Sequence, residues 1–193
     1  MLQKVYDKCL KWAAHPHAIW YLAILSFAES SLFPIPVEAM MLPMMFAAPK
    51  QSFKIAGVAT ITSVLGGIAG YGIGLFLFDQ LGQPILAFYG YEQKFVSFQE
   101  TFAEWGWWIV FAGGFTPLPY KVITIAAGLA HLDLTVFILA SLVSRGSRFY
   151  LEASLIYFFG PAIRQFVEKR LALVTSLGFI LLLGGFLLIK ALH

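Results

Sequence analysis

Apolar residues along this chain fall into long blocks, and two of these blocks are broken in the middle as well as at their ends. Residues 18–48 are apolar except for a few serines, Glu29, Glu38 and the stretch Phe33-Pro34-Ile35-Pro36. As one helix this block would be about 46 Å long at 1.5 Å per residue, well beyond the roughly 30 Å hydrocarbon core of a bilayer. As two spanning helices, each half would be too short. Two half-helices joined near Pro34 and Pro36 fit the length best, as a re-entrant hairpin that enters and leaves on one side. A lipid-facing backbone cannot be broken this way, because each freed amide or carbonyl would lie in hydrocarbon without a partner. The break therefore belongs inside protein or beside a wet cavity.

The next block, 55–78, is long enough to span a membrane. Within it Gly66, Gly70 and Gly74 recur every four residues, which flattens one helix face and lets another backbone approach. Residues 79–106 form a polar connection carrying Glu92, Lys94, Glu100 and Glu104. Its stripe Phe95, Phe98, Phe102 and Trp105 suits an amphipathic helix at the interface, the alternative being a solvated loop packed on the membrane domain. Trp105, Trp107 and Trp108 then mark a headgroup-level belt.

Residues 107–130 repeat the opening pattern. Thr116-Pro117-Leu118-Pro119-Tyr120-Lys121 matches Phe33-Pro34-Ile35-Pro36-Val37-Glu38 at Pro-x-Pro, with a charge two residues after the second proline in each. The segment 135–161 falls at the same offset as the first span. Each half then crosses the membrane an odd number of times, so the second is inverted relative to the first, an arrangement in which paired broken segments meet near the midplane. A C-terminal span is predicted over 171–190, and an interfacial amphipathic helix, or else a basic tail, over 1–14. The fold expected is an all-α membrane protein in one domain: an inverted repeat of two re-entrant hairpins, each followed by a transmembrane helix.

Composition agrees. Of 193 residues, 60% are hydrophobic and 12% charged, about half the charge of a soluble domain. Cys9 is the single cysteine, so no intramolecular disulfide forms. The pair His15 and His17 has no nearby Cys, Asp or Glu, and neither a metal site nor a cofactor is expected. The N-terminal region lacks the apolar core of a cleaved signal peptide. In this topology Lys4, Lys8, Lys11, Lys50, Lys54, Lys169 and Arg170 fall on one side, and the positive-inside rule makes that side, with the N-terminus, cytoplasmic.

Six charges remain inside apolar segments: Glu29, Glu38, Lys121, Arg145, Arg148 and Glu152. Each is costly there if unpaired. Arg145, Arg148 and Glu152, spaced three and four apart, share one helix face, which Ser141 and Ser144 extend. They form either an internal ladder that fixes packing or a guanidinium pair offered to an anion, since arginine's planar fork suits phosphate. Glu38, just after a proline, is favoured by the helix dipole. Lys121 at the matching position opposes it, so Glu29, Glu38 or a bound anion should lie nearby. Glu29, inside a half-helix, has no such explanation and is the leading proton carrier.

At these residues the chain resembles the DedA family, bacterial relatives of the VTT-domain (SNARE-associated Golgi) proteins. Glu29-Ser30-Ser31, Phe33 to Pro36, Glu38 and Pro43 look like its first hairpin. Leu65-Gly66-Gly67, Gly70-Tyr71 and Gly74 are similar to its glycine-rich span, and Phe111 to Pro117 with Ala126-Ala127-Gly128 to its second hairpin. The resemblance covers about 24–157. Many members carry arginine where this chain has Gly114 and Tyr120, so it looks like a divergent, YqaA-like subgroup. The resemblance implies movement of lipids such as polyprenyl phosphates or phospholipids across the bacterial inner membrane, coupled in some members to protons.

The expectation is a flippase or scramblase and not an enzyme. Glu29 and Glu38 would serve proton coupling or gating, and Lys121, Arg145 and Arg148 would hold a lipid phosphate, supported by Tyr120, Ser144 and Glu152. The hairpin breaks fall at Pro34, Pro36, Pro117 and Pro119. Its partners would be anionic membrane lipids and protons, not nucleic acid. The alternatives are an ion-coupled transporter of a small solute, a purely structural membrane protein, and a lipid phosphatase, for which the nearest histidine is the distant His131.

Overall fold

Half-helices need something to hold their ends, and here two long helices do so. The computed structural model describes residues 17–31, 35–78, 80, 92–116 and 119–169, with side chains to 160. The N-terminal amphipathic helix, Pro34, Pro117 and the C-terminal span all lie outside the described residues. Those described are helical, with no strand among them: α1 (Ala18–Ser31), α2 (Glu38–Ala47), a 3-10 turn (Pro49–Gln51), α3 (Ser52–Leu77), α4 (Glu92–Phe115), α5 (Tyr120–Leu129) and α6 (Leu134–Lys169). Among the described residues two stretches are long and apolar enough to cross a membrane, Pro49–Leu77 and Leu134–Gly160.

Each Pro-x-Pro stretch separates two helices, as the apolar pattern predicts. At 1.5 Å per residue α1 is about 21 Å long, and α2 and α5 about 15 Å each, all shorter than the hydrocarbon core. Two boundaries differ from expectation. The segments expected as an interfacial amphipathic helix and as the first arm of a second hairpin are one continuous helix, α4, with no break near 106. Sequence marks the change from polar to apolar surroundings there, and a helix needs no break to cross it. The second long helix also continues through Pro161 to Lys169. A proline removes one helical hydrogen bond, and this helix absorbs that loss.

The core lies around α3. Its first half packs on α1, α2 and α6 through Leu22, Met41, Met45, Ile55, Ala59, Phe149 and Ala153. Its second half packs on α5 and α6 through Tyr71, Ala127 and Phe137, with α4 adding Phe102 and Val110. The glycine stripe makes this closeness possible. A Cβ on Gly66 would meet the backbone carbonyl of Phe27, and one on Gly74 that of Ile125, while Gly128 meets the carbonyl of Tyr71 in return. Backbone therefore rests on backbone, and no side chain fits between.

The turn into α6 is tied at both ends. His131 takes a positive φ of 56°, the left-handed conformation that ends many helices. Tyr71 donates its hydroxyl to the carbonyl of Leu132. Asp133 then caps α6, its Oδ1 accepting the amides of Thr135 and Val136 at 2.9 and 3.0 Å.

Candidate functional site

The last residues of α1, the first of α2, the end of α4 and the start of α5 all come against the middle of α3 and α6. This is where the buried charges gather.

Arg145 is the most enclosed. Its side chain is 2% exposed, and Nη2 donates to Glu29 Oε2 at 2.9 Å. Nε donates to Ser63 Oγ on α3 at 2.8 Å. Ser63 shares a 2.7 Å hydrogen bond with Ser30, whose hydroxyl reaches Glu29 Oε2 at 3.3 Å. Arginine, two serines and glutamate thus close a ring in which each hydroxyl accepts one proton and donates another, and such rings polarise and strengthen in a low dielectric. The guanidinium carbon also lies 5.0 Å from the Tyr120 ring and 4.5 Å from that of Phe149, within cation–π range.

Arg148, one turn on, is more open at 19% exposed. Nη2 donates to Glu38 Oε1 at 2.6 Å, at the start of α2. Nη1 donates to the carbonyl of Thr116, just past the end of α4, at 2.7 Å. Nε lies 3.5 Å from Glu152 Oε1 on the next turn of α6. One guanidinium therefore ties the edges of both helix breaks to α6, and it satisfies a carbonyl that the broken backbone frees.

The remaining predicted residues are placed as follows. Tyr120 is fully buried and donates to Ser141 Oγ at 2.5 Å. Ser144 is buried and donates to the Ser141 carbonyl at 3.2 Å. Lys121 follows Tyr120 in the first turn of α5, partly buried, and its ammonium makes no ion pair among the described residues. The carboxylates expected near it are engaged elsewhere, Glu29 by Arg145 and Glu38 by Arg148. Pro119 directly precedes the first turn of α5, and Pro36 stands one residue further from α2, with Val37 between.

Ser63, Thr124 and Phe149 belong to the site without having been singled out in the sequence. Thr124 donates to the carbonyl of Ser30 at 3.2 Å, joining α5 to the end of α1. The available signal was hydroxyl residues on the flattened face of α3 and opposite it. The two positions where the family resemblance leads one to expect arginine are filled differently. A Cβ on Gly114 would meet the Ser144 side chain, and the Tyr120 ring packs on Arg145. The cations here come from α6.

Comparison with known proteins agrees with this arrangement. A family model described as the VTT domain matches residues 33–160, from the first break through the turns of α6 that carry Arg145, Arg148 and Glu152. The chain belongs to the VTT-domain, or DedA, family. It is accordingly a membrane protein. A relative from Haemophilus influenzae, described as an uncharacterized protein, is 36% identical over 170 residues, covering 88% of each chain. Another from Histophilus somni, an uncharacterized protein HI0703 homolog, is 39% identical over 168 residues, covering 85% of this chain and 87% of its own. No solved structure matches.

Proposed function

We propose that this VTT-domain protein moves phosphate-bearing lipids, such as polyprenyl phosphates or phospholipids, across the bacterial inner membrane as a flippase or scramblase. The observation that carries this reading is Arg148. It is partly open, and it holds Glu38 and the Thr116 carbonyl at the edges of two helix breaks, the second of which leads into Lys121, a lysine with no ion pair among the described residues. A phosphate is the chemical equivalent of what Arg148 already grips, since carboxylate and phosphate oxygens compete for the same guanidinium fork. Lys121 would supply the second positive charge. Arg145 completes the proposed phosphate-binding group by fixing the bundle beneath it.

In this reading each break belongs to a re-entrant hairpin, the two hairpins enter from opposite faces, and the N-terminus is cytoplasmic. Support comes from the short α1, α2 and α5, and from the way the four helix ends converge on the middle of α3 and α6. Glu38 gates the site, surrendering and retaking Arg148 as lipid passes, with a proton on the cluster as the exchange, while Glu29 holds Arg145 in place. His131 lies at the far end of α6, whose first residue is about 16 Å along the axis from Arg145. A histidine-dependent phosphatase is therefore not the reading favoured.

The test is transfer of a fluorescent phosphate-bearing lipid between leaflets of vesicles containing the purified protein. Wild type should accelerate transfer, and Glu29→Gln or Arg148→Ala should reduce it. Rates equal to those of empty vesicles across several anionic lipids would reject lipid transport. Ion flux that needs no lipid substrate would favour a small-solute transporter instead.

A further inference from the structure

Among the described residues the buried charges do not balance. Glu29 faces Arg145 one to one, whereas Glu38 and Glu152 share Arg148. Three carboxylates against two guanidiniums leave one negative charge over. An uncompensated charge in an apolar setting is expensive, and a single proton cancels it.

The three carboxylates are unequally solvated by the protein. Glu29 accepts from Arg145 at 2.9 Å and from Ser30 at 3.3 Å. Glu38 accepts from Arg148 at 2.6 Å. Glu152 has only the 3.5 Å approach of Arg148 Nε to Oε1, and its Oε2 is buried with no hydrogen-bond partner. Facing Glu152 are Arg148 and, farther off, Arg145 on its own helix, with Glu38 on α2. The other elements packed on α6 bring Lys50 and Lys54, both exposed, and from α4 nothing charged after Glu104. Lys121 on α5 forms no ion pair with any of the three.

We infer that Glu152 carries the exchangeable proton of this cluster, and that its proton state sets whether Arg148 stays latched to both helix breaks. Neutral Glu152 leaves Arg148 wholly to Glu38 and the Thr116 carbonyl. When Glu152 gives up its proton to water through its exposed edge (22% of the side chain), it becomes a second anion one turn away on the same helix. It then draws the guanidinium off the break. Glu38 is thereby the gate and Glu152 the proton site. This rests on the transport reading for its purpose but not for its chemistry.

Infrared spectra of the purified protein in lipid nanodiscs, recorded from neutral to alkaline pH, test it directly through the carbonyl stretch of a protonated carboxylic acid. Wild type should show one such band at neutral pH that disappears on alkalinisation. Glu152→Gln should abolish it, Glu152→Asp should move it, and Glu29→Gln should retain it because that carboxylate pairs with Arg145. Glu38→Gln should make it disappear at lower pH, because Arg148 is then left to Glu152 alone. No band in wild type, or an unmoved band in either Glu152 variant, overturns the inference. A bound monovalent cation in place of the proton would give the first of these results. The reading needs no lipid movement: if vesicles show no transfer while Glu152→Gln removes the band, the transport proposal falls and the proton assignment stands.

Discussion

Arg145 and Arg148 lie one turn apart on the same helix and each holds a glutamate from the first half of the chain, yet their surroundings differ at every other point. Arg145 is sealed between two aromatic rings and a serine ring, with its partner in the interior of α1. Arg148 is partly open, and everything it holds lies at the edge of a break or on the next turn. An enclosed ion pair whose partners are all satisfied resists rearrangement, because parting the charges exposes both to a low dielectric. A shared, partly wet guanidinium can trade partners at small cost. The first belongs to the frame and the second to the moving part.

The sharpest attempt to break this division is Arg145→Ala. It strands Glu29 and Ser63, and should cost about 3–5 kcal/mol, seen as loss of monodisperse protein or a large fall in thermal midpoint in detergent. Arg145→Lys should fail to rescue it, since an ammonium cannot reproduce the planar contacts with both rings. A mild effect would mean that Arg145 is not part of the frame.

Arg148→Ala should be gentler on the fold, about 1–3 kcal/mol, because Glu38 can turn toward water. Lipid transfer should nevertheless fall at least tenfold. If stability and transfer decline in proportion for both arginines, the contrast disappears and the charges only lock the bundle. Away from the site, Asp133→Ala removes the α6 cap and should cost about 1 kcal/mol with transfer per folded molecule unchanged. The smallest stability effect belongs to Lys121→Gln, within about 0.5 kcal/mol. Transfer of phosphate-bearing lipid should still drop, and that combination of results sharpens the assignment of Lys121 to the ligand.

Much of this organisation was legible in the chain. The Pro-x-Pro breaks, the four-residue glycine period on α3 and the isolation of six charges in apolar blocks are local signals, and each corresponds to a feature of the fold. The partnership of Arg148 with Glu152 was also readable, since both lie on one helix. The two long-range pairs were not, because nothing in a helix period says which distant carboxylate an arginine will meet. Lys121 shows the same limit from the other side: helix polarity demanded a nearby negative charge, and the arginines had already claimed the candidates. The aromatic sandwich around Arg145 was hidden because Phe149 reads as ordinary membrane-helix content, and Tyr120, named as a supporting residue, carries no signal that its ring faces an arginine on α6. Sequence misplaced the boundary inside α4 because it records what surrounds a residue more clearly than whether the backbone turns there.

The span between paired charges also has a consequence in time. Glu29 precedes Arg145 by 116 residues and Glu38 precedes Arg148 by 110. At about 5–20 residues per second of synthesis, each carboxylate emerges roughly 5 to 25 seconds before its arginine exists. In that interval an ionised glutamate in hydrocarbon lacks the arginine that pairs with it in the finished fold. The first half of the chain must therefore wait at the membrane surface, or enter with its glutamates neutral, until α6 is made and admits it.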